Sequence, residues 1–188
     1  SGECNVCLNT YIISKDLLMS IVADGAAKGI YSFAKSILQA RCNEYKIMAY
    51  KHEGYFSKIT DIKSYYDANM ALLDTDKRQK LFPDNAPVYT KVRDNPPAKF
   101  AIGAKVKNSL IADGCIIEGT VENSILFRGA KVGKGSVVKD SIIMQDTVIG
   151  KNCVVDCVIT DKIVKITDRK ILTGSVNYPI YIGKGAEI

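Results

Sequence analysis

The sequence predicts a mostly-β protein, a solenoid of short parallel strands from about Ala98 onward preceded by a small α/β region. Three observations carry this prediction. A small-residue position recurs four times in the second half, each time followed by an apolar pair. An aliphatic-then-small pair recurs between those copies. The first half mixes helical and strand-like apolar spacings and shows no repeat.

The repeat emerges when Ser109, Ser124, Ser141 and Cys157 are aligned, at spacings of 15, 17 and 16 residues. Lys107-Asn108, Glu122-Asn123, Lys139-Asp140 and Val155-Asp156 precede them, and Leu110-Ile111, Ile125-Leu126, Ile142-Ile143 and Val158-Ile159 follow. Ile102-Gly103, Ile117-Glu118, Val132-Gly133 and Ile149-Gly150 give the intervening aliphatic-then-small signature. Such hexads fit a coil of about three strands whose turns stack at the strand spacing of about 4.8 Å. Inward side chains must suit a narrow core, and glycine serves tight corners. One coil cannot bury its own inner face, so stacked copies are needed for stability. The stretch Thr167 to Asn177 breaks the register and is expected to be a loop.

Upstream, Tyr11-Ile12-Ile13 is a short apolar run, and Ser14 offers a cap for a helix carrying Leu17, Leu18, Ile21 and Val22. Gly25 or Gly29 can end that helix. Ser32 caps a second helix with Phe33, Ile37 and Leu38 on one face. Ile47 to Tyr50 and Gly54 to Phe56 read as strands. Thr60 caps a third helix whose apolar stripe is Ile62, Tyr65, Tyr66, Met70 and Leu73. These pieces resemble the last elements of a larger sheet. The expected organisation is an α/β region over 1–82, an extended linker over 83–97 holding four of the five prolines, and the solenoid over 98–188.

Composition narrows the function. The net charge of +6 is spread evenly, with 13 Lys/Arg against 11 Asp/Glu in residues 1–97 and 13 against 9 in residues 98–188. No dense basic run with interleaved aromatics points to nucleic acid. No apolar run approaches the roughly 20 residues of a membrane helix, and no signal pattern opens the chain, so a soluble, cytoplasmic protein is expected. Cys4 and Cys7 form a lone CxxC without a second pair, so neither zinc nor a disulfide framework is expected. Cys115, Cys153 and Cys157 read as small core residues. Many hexapeptide solenoids are acyltransferases with a catalytic His, but the single His52 lies outside the repeats. An assembly and regulatory module, or a plain spacer, fits better.

Five segments carry a resemblance. They are Asn5 to Leu18 (NVCLNTYIISKDLL), Tyr31 to Leu38 (YSFAKSIL), Glu53 to Asn69 (EGYFSKITDIKSYYDAN), Ser109 to Gly119 (SLIADGCIIEG) and Ser124 to Gly129 (SILFRG). In order and spacing the chain resembles the C-terminal part of a bacterial glucose-1-phosphate adenylyltransferase (ADP-glucose pyrophosphorylase), in particular a GlgD-type subunit. The resemblance implies a left-handed parallel β-helix behind the remnant of a nucleotidyltransferase domain, in a tetrameric assembly. It also implies the conversion of ATP and glucose 1-phosphate to ADP-glucose and pyrophosphate, the activating step of glycogen synthesis, with magnesium. Without the family's Gly-rich phosphate loop, this stretch is expected to be inactive alone, with no cofactor and no catalytic residue of its own.

The departures from the family are informative. The motif resembled by Gly54 to Thr60 has Trp at the Phe56 position, a magnesium-ligating Asp at the Lys58 position and Gly at the Thr60 position in catalytic members. Lysine there places positive charge where a hard cation needs carboxylate oxygen. The Ser-Met-Gly-Ile-Tyr run that binds the sugar phosphate is Cys7-Leu8-Asn9-Thr10-Tyr11 here. Cysteine is a weak donor, and Asn9 fills the space Gly left. Ser32 and Ser36 stand where acidic residues are usual. Cys7, Leu8, Asn9, Tyr55 and Lys58 are therefore expected to form a degenerate substrate site. Lys99, Lys105, Arg128 and Lys131 are candidates for small phosphorylated effectors. The expected partner is a catalytic adenylyltransferase subunit in a homo- or hetero-oligomer; a catalytic sugar-phosphate nucleotidyltransferase subunit is the competing reading.

Overall fold

The computed structural model describes residues 6–30 and 32–188. Cys4 and Tyr31, which belong to the CxxC and to a resembling segment, lie outside the described residues. Two compact units are present, Ser1–Glu53 and Gly54–Ile188. Residues 54–82 thus group with the solenoid, a different division from the one expected at residue 82.

In the first unit, α1 spans Lys15–Ala27. Ser14 sits at its N-cap in extended conformation but makes no side-chain cap bond. Gly25 does not end the helix; it is buried within it, close to Ile30. Gly29 takes φ +64 just past the end, the left-handed turn that glycine makes without strain. The expected second helix is a π-helix, Phe33–Gln39, whose Ser32 hydroxyl accepts from Lys35 N–H at 3.3 Å. The strands expected at 47–50 and 54–56 are not formed; both stretches are irregular. A strand needs a neighbour for its backbone groups, and apolar spacing alone does not provide one.

In the second unit, α2 (Ile62–Met70) runs through a single 3₁₀ turn (Ala71–Leu73) to α3 (Thr75–Leu81). Its cap is Asp61, one residue beyond the expected Thr60. The Asp61 carboxylate accepts from Ser64 N–H at 2.7 Å while Ser64 Oγ accepts from Asp61 N–H at 3.0 Å, a reciprocal capping box. Residues 87–98 form no regular element and carry the chain to the solenoid.

The solenoid contains fifteen strands in three five-stranded parallel sheets. The first face is built from Lys99–Phe100 (β1), Ile116–Ile117 (β4), Lys131–Val132 (β7), Val148–Ile149 (β10) and Lys165–Ile166 (β13). The second contains Lys105–Lys107 (β2), Thr120–Glu122 (β5), Val137–Lys139 (β8), Val154–Asp156 (β11) and Ile171–Thr173 (β14). The third contains Leu110–Ile111 (β3), Ile125–Leu126 (β6), Ile142–Ile143 (β9), Val158–Thr160 (β12) and Ile180–Ile182 (β15). This is the parallel hexapeptide solenoid that the sequence predicts.

Strand pairing corrects the sequence register in three places. Ile142 pairs with Ile159, so Val158 and not Cys157 stands opposite Ser141. Cys157 instead joins Asn108, Asn123 and Asp140 as a positive-φ corner residue. Ile117 pairs with Phe100, which leaves Ile102 in a turn and fully exposed. The register also survives past Thr167, since Val154 pairs with Ile171. The insertion falls later, at residues 174–179, where Ser175 and Tyr178 form an antiparallel bridge.

Strand alternation explains the core. Val121, Val138 and Val155 point inward from the second face, and Ile117, Val132, Ile149 and Ile166 from the first; all are almost wholly buried. The serine row links the coils. Ser109, Ser124 and Ser141 each accept from the N–H one coil on, at 3.1, 3.2 and 3.1 Å. Ser109 and Ser124 also donate to the carbonyls of Lys107 and Glu122. A small hydroxyl fits this corner because it satisfies backbone groups that a larger apolar residue would orphan.

Candidate functional site

The apolar pair after each serine has two destinations. The second member faces the core, as Ile111, Leu126 and Ile143 do. The first member faces outward, and Ile142 and Ile159 are covered by α2 through Tyr66, with Tyr65, Met70 and Phe127 packed alongside. The Tyr66 hydroxyl donates to the Asp140 carbonyl at 2.6 Å, and burial pushes its pKa well up. Helix α2 is thereby fixed on the third face, which places the loop before it, Gly54 to Thr60, beside the solenoid.

That loop holds two of the expected site residues. Tyr55 is half-buried and Lys58 is exposed. Beside it lies a cleft of about 490 Å³ lined by Ile59, Thr60, Asp61, Tyr65, Met144 and Tyr181, among others. The Tyr181 hydroxyl donates to Asp161 Oδ2 at 3.3 Å, and burial raises the pKa of both Tyr65 and Tyr181. Asp61 is held below the usual carboxylate range, chiefly by the Ser64 N–H. The cleft is apolar with carboxylates at its edge, which disfavours a phosphate. The sequence reading missed it. Its signal was positional: Tyr181 occupies the outward row of Ile142 and Ile159, but only after a 22-residue step across the insertion.

The residues present here do not fit a magnesium ion. Among the described residues no group of three or more His, Cys, Asp or Glu is placed to hold a metal. Lys58 adds an exposed ammonium to this loop, which disfavours a hard cation there.

Cys7, Leu8 and Asn9 lie in the first unit, apart in sequence and in compact unit from Tyr55 and Lys58. Cys7 and Asn9 are exposed, and Leu8 is half-buried. Asn9 takes φ +56, the region that glycine adopts most easily. Tyr11 donates to Asn9 Oδ1 at 3.3 Å, lies 3.6 Å from Cys7 Sγ, and packs its ring on Phe33. The Cys7 contact and burial together raise the Tyr11 pKa.

The four basic candidates do not converge. Lys99 and Lys131 share an outward row of the first face, each paired with Ile116 between them. Two strand spacings separate them, about 9.6 Å. Lys105 projects from the second face. Arg128 lies in the turn before β7, where its Nε donates to Asp113 Oδ1 at 3.1 Å. Burial alone would raise the Asp113 pKa, but a hydrogen bond from Asn95 and then this bridge bring it below the usual value.

Residues 96–174 match the family model "GlmU-like, C-terminal hexapeptide". The chain is similar to the glycogen biosynthesis protein GlgD of Bacillus subtilis (strain 168), with 39% identity over 178 residues, 95% of this chain and 52% of that protein. It is similar to the glucose-1-phosphate adenylyltransferase of Bacillus mycoides (strain KBAB4), 39% identical over 146 residues, covering 77% of this chain and 39% of that protein. The Bacillus anthracis glucose-1-phosphate adenylyltransferase is 38% identical over the same coverage. The chain spans about half of the GlgD protein and less of the adenylyltransferases. No helix among the described residues is long and apolar enough to cross a membrane.

Proposed function

We propose that this chain is part of a GlgD-type subunit of a glucose-1-phosphate adenylyltransferase, regulatory and weakly catalytic or non-catalytic. The reaction it serves joins ATP and glucose 1-phosphate into ADP-glucose and pyrophosphate for glycogen synthesis, in the cytoplasm. The observation that carries the reading is Lys58, exposed on the loop before α2 where catalytic members have a magnesium-binding Asp. Similarity to GlgD over 95% of the chain supports it. Asn9 in place of Gly and Cys7 in place of Ser support a decayed sugar-phosphate site. In this reading the subunit pairs with a catalytic partner and changes its response to phosphorylated effectors. Lys99 and Lys131, sharing one row, are its best-placed effector contacts; Arg128 is already bridged to Asp113.

The test mixes the full subunit with its catalytic partner and measures co-elution and effector response. A complex with a shifted effector dependence is expected. Separate elution with an unchanged response would overturn the reading. Similarity to an adenylyltransferase at the same 39% identity, over a shorter 77% of the chain, favours a second reading, a catalytic subunit. Lys58→Asp separates the two, because gained magnesium-dependent turnover is expected only where the lysine is what silences the pocket.

A further inference from the structure

At the corner between the second and third faces, two successive N–H groups turn toward the preceding coil. Asn123 N–H donates to the Lys107 carbonyl and Ser124 N–H to Ser109 Oγ, both at 3.1 Å. One coil on, Asp140 and Ser141 donate to the Glu122 carbonyl and Ser124 Oγ at 3.1 and 3.2 Å. Cys157 and Val158 repeat the pair at 3.2 and 3.1 Å. The two acceptors are themselves neighbours, since Ser109 Oγ lies 2.8 Å from the Lys107 carbonyl oxygen and Ser124 Oγ 2.7 Å from that of Glu122. Each corner thus places two N–H groups against a close pair of oxygens.

Asn108 and Ser109 hold this corner in the first coil, and there the oxygen pair is missing. Asn108 takes φ +43, as Asn123 and Asp140 take +45 and +43, so its corner turns the same two N–H groups the same way. Strands β2 and β3 end their sheets, so no strand lies before them. Among the described residues neither N–H has an acceptor. Such donors are met by water or by a ligand.

The helical segment ahead of the solenoid adds charge at this place. Asn108 and Ser109 line a cleft of about 290 Å³ together with Leu73, Thr75, Arg78, Val106 and Leu110, none of them acidic. Arg78 is half-buried. Its Nη1 donates to the Leu72 carbonyl at 2.8 Å and its Nη2 to Thr75 Oγ1 at 3.4 Å. These bonds fix the guanidinium, use two of its five N–H donors and give it no carboxylate partner. Asp74, the nearest acidic residue before it in α2–α3, accepts instead from Asp76 N–H and Lys77 N–H. The Thr75 hydroxyl keeps a proton to donate. Water can meet the two backbone donors, but it leaves the cation without a counter-charge; an oxyanion answers both. The vacant acceptor positions are spaced much as two oxygens of one phosphate are.

We propose that the cleft between α3 and the first coil binds a phosphate group. Two of its oxygens take the place of the preceding coil's carbonyl and hydroxyl against Asn108 and Ser109 N–H, and Arg78 balances its charge. The inference goes beyond the proposed function, does not rest on it, and involves neither Lys99 nor Lys131. The probe is inorganic phosphate, titrated into the isotope-labelled chain at constant ionic strength held with chloride. The Asn108 and Ser109 amide resonances are expected to shift saturably. Those of Asn123 and Asp140, whose N–H groups already donate between coils, are expected to stay. Arg78→Gln is expected to raise the phosphate Kd about tenfold or more and Thr75→Val about fivefold. Lys134→Gln, which removes an exposed charge elsewhere on the solenoid, is expected to leave it unchanged. Melting curves check each variant, and the milder Thr75→Val carries the test if Arg78→Gln loosens α3. Acetate in place of phosphate is expected to bind more weakly. The proposal is overturned by amides of Asn108 and Ser109 that do not saturate, by a Kd that neither Arg78→Gln nor Thr75→Val changes, or by acetate binding as tightly as phosphate. No catalytic partner or turnover enters this titration, so its failure leaves the proposed function standing.

Discussion

The two compact units draw on similar apolar content and use it in opposite ways. In the solenoid, Val121, Val138, Val155 and Ile143 are wholly buried. In the described part of the first unit only Ile21 and Ile37 are buried among the hydrophobic residues, while Ile12, Met19, Val22 and Met48 stay exposed. The difference is one of neighbours. Each coil finds its partner 15 to 22 residues along the chain, so a short stretch of sequence supplies both sides of each coil-to-coil pairing. An α/β region needs partners distant in sequence, and a good local pattern alone does not bury its faces.

The largest effects that sharpen this contrast fall in the repeats. Ile143→Ala is expected to cost about 2–5 kcal/mol by leaving a cavity in a closed core. Met19→Ala, at an exposed position of α1, is expected to stay within about 0.5 kcal/mol. Denaturant titration followed by circular dichroism measures both, and equal costs would break the comparison. Gly133→Ala comes next. Its new Cβ would lie 2.4 Å from the Gly150 carbonyl oxygen of the next coil, with the Gly150 carbonyl carbon at 2.7 Å and the Lys151 nitrogen at 3.0 Å, all backbone atoms. Overpacking of about 1–3 kcal/mol is expected in the same titration.

A smaller effect tests how α2 is held. Tyr66→Phe removes the bond to the Asp140 carbonyl and is expected to cost about 1 kcal/mol. Hydrogen exchange of α2 should quicken while that of the inner strands stays unchanged; matched acceleration everywhere would mean the helix and coils open as one. The smallest effect is a pH dependence. Asp61 has its folded-state pKa lowered by Ser64 N–H, so its contribution is present above the ordinary carboxylate pKa and fades as pH falls through the folded value. Exchange at the first turn of α2 is expected to rise over that acid range. Asp61→Asn, which keeps a capping oxygen, should flatten the dependence.

The same contrast governs what was legible in the sequence. The solenoid could be read because Ser109, Ser124 and Ser141 recur at a corner that demands a small hydroxyl. Cys157 was misplaced because a 17-residue coil brought Asp140 and Cys157 to one corner, and cysteine mimics serine in size. Ile102 was misread because the first coil has an aromatic, Phe100, where later coils have an aliphatic. The strands expected at 47–50 and 54–56 rested on short apolar runs, Ile47 to Tyr50 and Tyr55-Phe56, and neither pairs with a strand among the described residues. Around the candidate site, Lys58 was visible as a departure from a motif. Tyr181 was not, because its place beside the cleft follows from coil register and an insertion, neither of which a single-sequence pattern encodes.

The claim at the centre is that Lys58 marks a subunit that modulates synthesis more than it performs it. The direct measurement is ADP-glucose formation by the full subunit alone, with ATP, glucose 1-phosphate and magnesium, beside the same assay on its catalytic partner. The account predicts turnover at or near background for the subunit alone. Robust magnesium-dependent ADP-glucose formation with Lys58 in place would contradict it.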